Sequence, residues 1–117
     1  MFSILIPTFN NLNYLKLCLK SLSNNSVEEH EIIIHVNVGL DGTLDFVRMN
    51  NIKHTLTQEN VGVCTAINIA SKLSSKQYIL YAHDDMYFCP GWDKHLLKEV
   101  NKIGHNNFYL SGTMIEP

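Results

Sequence analysis

Short apolar runs and stripes of helical period alternate along the chain. Residues 2–6 form an apolar run that Pro7 should stop, because proline has no N–H to give to a sheet ladder. Leu12, Leu15, Leu19 and Leu22 then recur at helical spacing, with Lys16 and Lys20 on the other side. Asn10, Asn11 or Asn13 is placed to cap that helix and Asn24-Asn25-Ser26 to close it. Residues 31–38 contain Ile32-Ile33-Ile34, a β-branched run suited to a strand covered on both faces, and end at Gly39. Asp41-Gly42-Thr43 is turn chemistry leading into a short helix over residues 44–49.

Residues 52–57 are a weaker strand candidate. Asn60 and Gly62 open a second amphipathic helix, with Val63, Ala66, Ile67, Ala70 and Leu73 on one face. Residues 78–82 read as a third strong strand, ending at His83-Asp84-Asp85. Pro90 suits the first turn of a helix whose stripe is Trp92, Leu96, Val100 and Ile103, and residues 108–110 begin a last strand. Strands alternating with helices imply βαβ units, hence an α/β fold with a mostly parallel sheet and flanking helices.

Composition changes this picture little. The 117 residues fit one domain over residues 1–117, and 45% hydrophobic with 17% charged residues is ordinary for a globular chain. The formal charge of -2 and the scattered nine Lys/Arg form no basic stripe, so nucleic acid is not an expected partner. Cys18, Cys64 and Cys89 are too far apart for a zinc knuckle or a disulfide framework. The start of the chain lacks a basic leader and no apolar run approaches a membrane span, so a cytoplasmic location is expected.

Open α/β sheets bind ligands beyond the carboxyl ends of their strands. That rule selects residues 7–10, 37–41, 60–62 and 83–85, which should converge on one rim. Asp84 and Asp85 repel each other unless a divalent cation intervenes, and Mg²⁺ favours one or two carboxylates plus phosphate oxygens; the alternative is a solvated acidic turn. Asn60-Val61-Gly62 either turns backbone N–H groups to an anion or simply caps a helix. Asn37 is a base- or sugar-binding amide or a turn former, and Phe9 a stacking platform or a core-edge aromatic. His83 is a metal ligand or a hydrogen-bonding neighbour of one.

Taken in order, these residues resemble a known family. Ile4-Leu5-Ile6-Pro7-Thr8-Phe9-Asn10 is similar to the opening of family 2 glycosyltransferases, and Leu15, Cys18, Leu19, Ser21 and Leu22 to the helix that follows. Asn60, Gly62, Ala66 and Asn68 match a second helix of that family. Tyr78, Asp84-Asp85 and Pro90-Gly91-Trp92 match its metal-motif segment. The resemblance implies a Rossmann-like GT-A domain that binds a nucleoside-diphosphate sugar and transfers the sugar, with inversion, to a hydroxyl of a glycan or other acceptor. It implies that Pro7, Thr8 and Phe9 flank the nucleobase and that Asn37 stands where the family usually reads the base with an Asp. Gly62 and Asp84 would contact the donor, and Asp85 would bind Mg²⁺ or Mn²⁺ at the diphosphate.

Departures accompany the match. The acids that usually open the 36–43 segment are missing, and His83 replaces the usual Asp or Asn. The family's acceptor site and base lie in a C-terminal half expected to be absent here; Glu116 matches no catalytic position, so the base is unassigned. The expectations are therefore a donor-binding part, completed by another chain or a homo-oligomer, or a non-catalytic nucleotide-sugar module. A structural or interaction domain is the third alternative, against which the retained Asp84-Asp85 pair argues.

Overall fold

Each apolar run becomes a strand and each amphipathic stripe a helix, with one exception. The computed structural model describes residues 1–112, so Glu116 lies outside the described residues. In chain order the elements are β1 (Phe2–Phe9), α1 (Leu12–Asn25), β2 (Glu31–Asn37), α2 (Thr43–Met49), β3 (Lys53–Thr57), α3 (Val63–Ser71), β4 (Tyr78–Tyr81) and α4 (Trp92–Ile103). The strands make one parallel sheet in the order β3-β2-β1-β4. This is the α/β architecture the pattern implied.

The sheet's two faces follow from the alternation of side chains along each strand. On one face Phe2, Ile4, Ile6, Ile34 and Val36 bury themselves against Leu15, Cys18 and Leu22 of α1 and Val47 of α2; Trp92, Leu96 and Leu97 of α4 pack at the margin. On the other face the apolar cluster is smaller: Leu5 and Ile33 against Ala70 and Ile67 of α3. The remaining α3-side positions of β1 and β2 are largely polar. Ser3 and Lys53 hydrogen-bond to Glu31 at the amino ends of the strands, and His35 bonds Thr55 and Thr57 near the carboxyl ends.

Four local expectations need correction. β1 does not stop at Pro7 but runs to Phe9. The carbonyl of Leu5 accepts from Ala82 N–H on the β4 side. Pro7, two residues on, turns the same way, toward a position β4 has already vacated, so its missing donor costs no ladder bond. The α1 start uses no asparagine cap: Asn11 makes no side-chain capping bond, and Leu12 N–H instead donates to Asp41 Oδ2 at 3.3 Å. Pro90 stays outside α4, because Gly91, in the left-handed region at φ 73°, makes the turn into the helix. Residues 108–110 form no strand; Phe108 packs its ring against Tyr78 at 5.7 Å, while Tyr109 is exposed. Three apolar residues cannot be told from an anchored loop by periodicity. Among the described residues both edges of the sheet, β3 and β4, are therefore unpaired.

The segment after β4 is fastened along α1. Phe88 N–H donates to Ser21 Oγ, Asn25 Nδ2 to the Phe88 carbonyl, and Trp92 Nε1 to Ser26 Oγ. Buried Asp93 then accepts from Val27 N–H, Glu28 N–H and His30 Nε2, all within 3.0 Å. Burial alone would raise the Asp93 carboxyl, but these donors outweigh it and bring it to about 2. Among the described residues no helix is long and apolar enough to cross a membrane.

Candidate functional site

The strand order reverses beside β1: β2 and β3 extend to one side of it and β4 lies on the other. Such a switch point leaves a crevice outside the carboxyl ends of the strands. Register deepens it here, because β4 ends at Tyr81, opposite Leu5, while β1 continues to Phe9, opposite Asn37. The hollow is about 330 Å³ and is lined by Pro7, Thr8, Phe9, Asn37, Gly62 and Asp84. Those six are the residues the sequence suggested for substrate binding. Asp85, the expected metal ligand, is exposed beside the crevice and is not part of its lining.

Asp84 is held by the strand it faces. Buried Thr8 donates its hydroxyl to Asp84 Oδ2 at 2.8 Å, which leaves Asp84 Oδ1 and the Asp85 carboxylate uncommitted among the described side chains. Beneath this turn the Cys18 thiol donates to the His83 carbonyl at 3.7 Å. Burial first, then the negative charges of Asp84 and Asp85, push this thiol up to about 12, so Cys18 is a neutral packing group and no nucleophile. Sequence reasoning left Tyr81 out of the site, yet it lines the crevice and its hydroxyl meets His83 Nδ1 at 3.3 Å. The signal was available, since Tyr81 is the last residue of β4 and so stands at the ligand-binding end.

The opposite wall is built from β2, β3 and the loop before α3. Fully buried His35 has Nδ1 at 2.7 Å from Thr55 Oγ1 and Nε2 at 3.0 Å from Thr57 Oγ1. Burial lowers its pKa, partly offset by the Asn37 side chain, so His35 is neutral at neutral pH. Thr57 Oγ1 lies 3.3 Å from Asn37 Oδ1, and that same oxygen accepts from Val61 N–H at 3.0 Å. Gly62 N–H donates to Asn60 Oδ1 at 3.1 Å. The Val61 and Gly62 N–H groups, expected to face an anion, are therefore already engaged. Val63, Cys64 and Thr65, in the first turn of α3, keep N–H groups without an intrahelical acceptor. Gly62 has φ 80° and ψ 168°, a region practically reserved for glycine, and no atom lies within 4 Å of where a Cβ would stand.

A strained turn follows Asn37. Val38 has φ 67°, and Gly39 N–H donates back to the Asn37 carbonyl at 2.8 Å, closing a γ-turn around a β-branched residue. Nothing in the order of residues announces this strain. Asp41, inside the rim segment 37–41, serves structure: it accepts from Thr43 N–H and Oγ1 and from Leu12 N–H, capping α2 and holding the start of α1.

For a divalent cation the local donors are the free oxygens of Asp84 and Asp85. Among the described residues no group of three or more His, Cys, Asp or Glu could enclose a metal by itself. Two adjacent carboxylates suit an Mg²⁺-like ion that takes its other ligands from water and phosphate, so the donor set fits a cation that arrives with a diphosphate.

Comparison with known proteins bears on the family and the fold. The model of glycosyl transferase family 2 matches residues 3–116. The chain is 31% identical over 104 residues to the chondroitin synthase of Pasteurella multocida, covering 86% of this chain and 11% of that protein. It is 28% identical over 118 residues to an uncharacterized glycosyltransferase of Rickettsia felis, covering 94% and 19%. Among solved structures it is similar to S. aureus TarS 1-349 in complex with UDP, at 24% identity and TM-score 0.75, over 86% of this chain and 32% of that one. The chain thus spans about a third or less of the proteins it matches. It belongs to glycosyl transferase family 2.

Proposed function

We propose that this chain is the donor-binding part of a glycosyltransferase, holding a nucleoside-diphosphate sugar in the crevice between the β1 and β4 ends. One observation carries the reading: the switch-point crevice gathers Pro7, Thr8, Phe9, Asn37, Gly62 and Asp84, with Thr8 holding Asp84 toward it. Half-exposed Phe9 offers a face for the base, and Asn37 a polar group beside it. The first-turn N–H groups of α3 lie on the same rim and favour the negative diphosphate. Strain at Val38, immediately beyond Asn37, fits a rim shaped for a ligand, since such outliers concentrate at functional sites.

Asp85, with the free oxygen of Asp84, would hold Mg²⁺ or Mn²⁺; the ion would supply Lewis-acid neutralisation of charge on the leaving diphosphate. In the transfer, an acceptor hydroxyl forms a bond to the anomeric carbon as the bond to the diphosphate breaks, and the hydroxyl proton passes to a base. No described residue is assigned as that base. The acceptor site belongs to the larger proteins of which this chain matches a part, or to a partner chain. A cytoplasmic location accords with three unpaired cysteines.

The test is calorimetry of the chain with UDP, CDP, ADP and GDP, each with and without Mn²⁺. Metal-dependent binding is expected, and Asp85→Ala should remove the metal-dependent part while leaving the thermal unfolding temperature unchanged. If no nucleoside diphosphate binds at millimolar concentration, or Asp85→Ala binds as well as wild type, the reading is wrong. Transfer or hydrolysis of a sugar nucleotide by the chain alone separates a catalyst from a binding module.

A further inference from the structure

His35 is a costly residue for its place in the sheet. It follows Ile33 by two residues on β2 and so shares the α3 side, where Ile33 packs with Ala70. Burying an imidazole costs free energy unless both ring nitrogens are partnered, and an aliphatic side chain would fill the volume without that demand. In fully buried His35 both nitrogens are partnered, and both partners lie on the edge strand β3.

The donors and acceptors of this group can be assigned. A neutral imidazole has one N–H and one bare nitrogen, and burial keeps His35 neutral. Thr57 has a single hydroxyl hydrogen. The Glu59 carbonyl, which can only accept, stands 2.8 Å from Thr57 Oγ1, nearer than Asn37 Oδ1 at 3.3 Å, so the hydrogen goes to Glu59. Thr57 Oγ1 then accepts from His35 at 3.0 Å, which puts the ring hydrogen on Nε2. Nδ1 is left to accept from the Thr55 hydroxyl at 2.7 Å. The donors thus run one way, from Thr55 through His35 and Thr57 to the backbone of Glu59. Asn37 Oδ1 takes hold of the same loop two residues on, at Val61 N–H. Asn60, Gly62 and Val63 of that loop and the start of α3 line the crevice.

We propose that His35 is a positioning residue for the donor site: without reaching the ligand, its Nε2–H fixes the Thr57 hydroxyl on the Glu59 carbonyl and so sets the path of the loop into α3. No other described side chain donates to Thr57 Oγ1. Without that N–H nothing holds Thr57 in the rotamer that reaches Glu59, and the crevice wall formed by residues 60–63 loses one of its two anchors. The proposal rests on the crevice being the nucleoside-diphosphate site.

Two variants and one measurement on the wild-type chain test it. The side-chain amide nitrogen of Gln reaches about as far as imidazole Nε2, whereas the amide of Asn reaches only as far as Nδ1. His35→Gln therefore keeps a donor for Thr57, and His35→Asn keeps only the Thr55 contact. Nitrogen NMR of the wild-type imidazole should show the hydrogen on Nε2. Amide exchange at Val61, measured relative to the amides of β1, should stay slow in His35→Gln and quicken in His35→Asn. With Mn²⁺ and whichever of UDP, CDP, ADP and GDP binds wild type most tightly, His35→Asn should bind about threefold to tenfold more weakly, the effect of one lost hydrogen bond. His35→Gln should bind like wild type. A hydrogen on Nδ1, or two variants that match each other in loop exchange and affinity, overturns the positioning role and makes His35 a packing residue only. If no nucleoside diphosphate binds the wild-type chain, the donor-site reading fails, while the ring hydrogen and the Val61 exchange still decide whether His35 positions the loop. The ring hydrogen is read on wild type, so the proposal stays open to refutation should a variant not fold.

Discussion

The two faces of the sheet are made of different material. The face under α1, α2 and α4 is apolar over most of its length, with Ile4, Ile6, Leu15, Ile34, Val36 and Val47 fully buried, until Thr8 at the carboxyl end of β1 holds Asp84. The face under α3 has a small apolar centre and polar ends, Ser3–Glu31–Lys53 below and His35–Thr55–Thr57–Asn37 above. The first face is non-directional: burial drives it, and many apolar residues of similar volume would serve. The second is directional, since each group has a named partner and the chain of contacts ends at the crevice wall. Most apolar burial thus lies on one side of the sheet and the Asn37 wall of the crevice on the other, with Thr8–Asp84 reaching the crevice from the apolar side.

That division can be broken from either side. The largest loss is expected on the apolar side, where Asp93→Ala removes the acceptor that ties Val27, Glu28 and His30 to α4. Stranding these buried donors should cost roughly 3–5 kcal/mol in urea unfolding, with nucleotide affinity of the folded fraction little changed. A smaller loss with the opposite profile is expected from Thr57→Val, which strips His35 and Asn37 of a shared partner. It should cost about 1–3 kcal/mol of stability and weaken nucleotide binding. If Asp93→Ala abolishes binding in folded protein, or Thr57→Val leaves it untouched, the faces are not separable in this way.

Acid sharpens the comparison, because each side holds one strongly paired carboxylate. Burial opposes ionisation of Glu31, but Lys53, Ser3 and Ser75 outweigh it and bring its pKa to about 2, as the backbone donors do for Asp93. Both pKa values are depressed relative to the ordinary 4.5 and 3.8, so their stabilisation is complete above those values and is lost as pH falls toward 2. Thermal unfolding followed from pH 6 to roughly pH 2 should show this steep acid limb; a flat profile removes the pairing from the account. The least effect is expected from Lys53→Met, whose half-exposed ion pair with Glu31 is worth about 0–1 kcal/mol at neutral pH. A double-mutant cycle with Glu31→Gln measures it.

Several features of the site were legible before any coordinates. Pro7, Thr8, Phe9, Asn37, Gly62 and Asp84 all follow or flank apolar runs of strand length, and the rule for parallel sheets sends such positions to one rim. Helix starts were read less well. The donor to be capped at Leu12 is answered by Asp41, which lies far along the chain, and local spacing carries no sign of so distant a partner. Pro7 was misplaced for a related reason: whether a proline harms a strand depends on which side its missing N–H faces.

By itself the sequence determined the alternation of strands and helices, the α/β class and the family, because periodicity and ordered motifs are properties of the chain read one residue after another. Only the tertiary structure decided that β1 outruns β4 to leave a crevice and that Thr8 holds Asp84. It alone decided that Asn37 keeps its oxygen for Val61. These facts belong to pairs of groups distant in sequence, and a hydrogen bond's direction is set by both members of the pair.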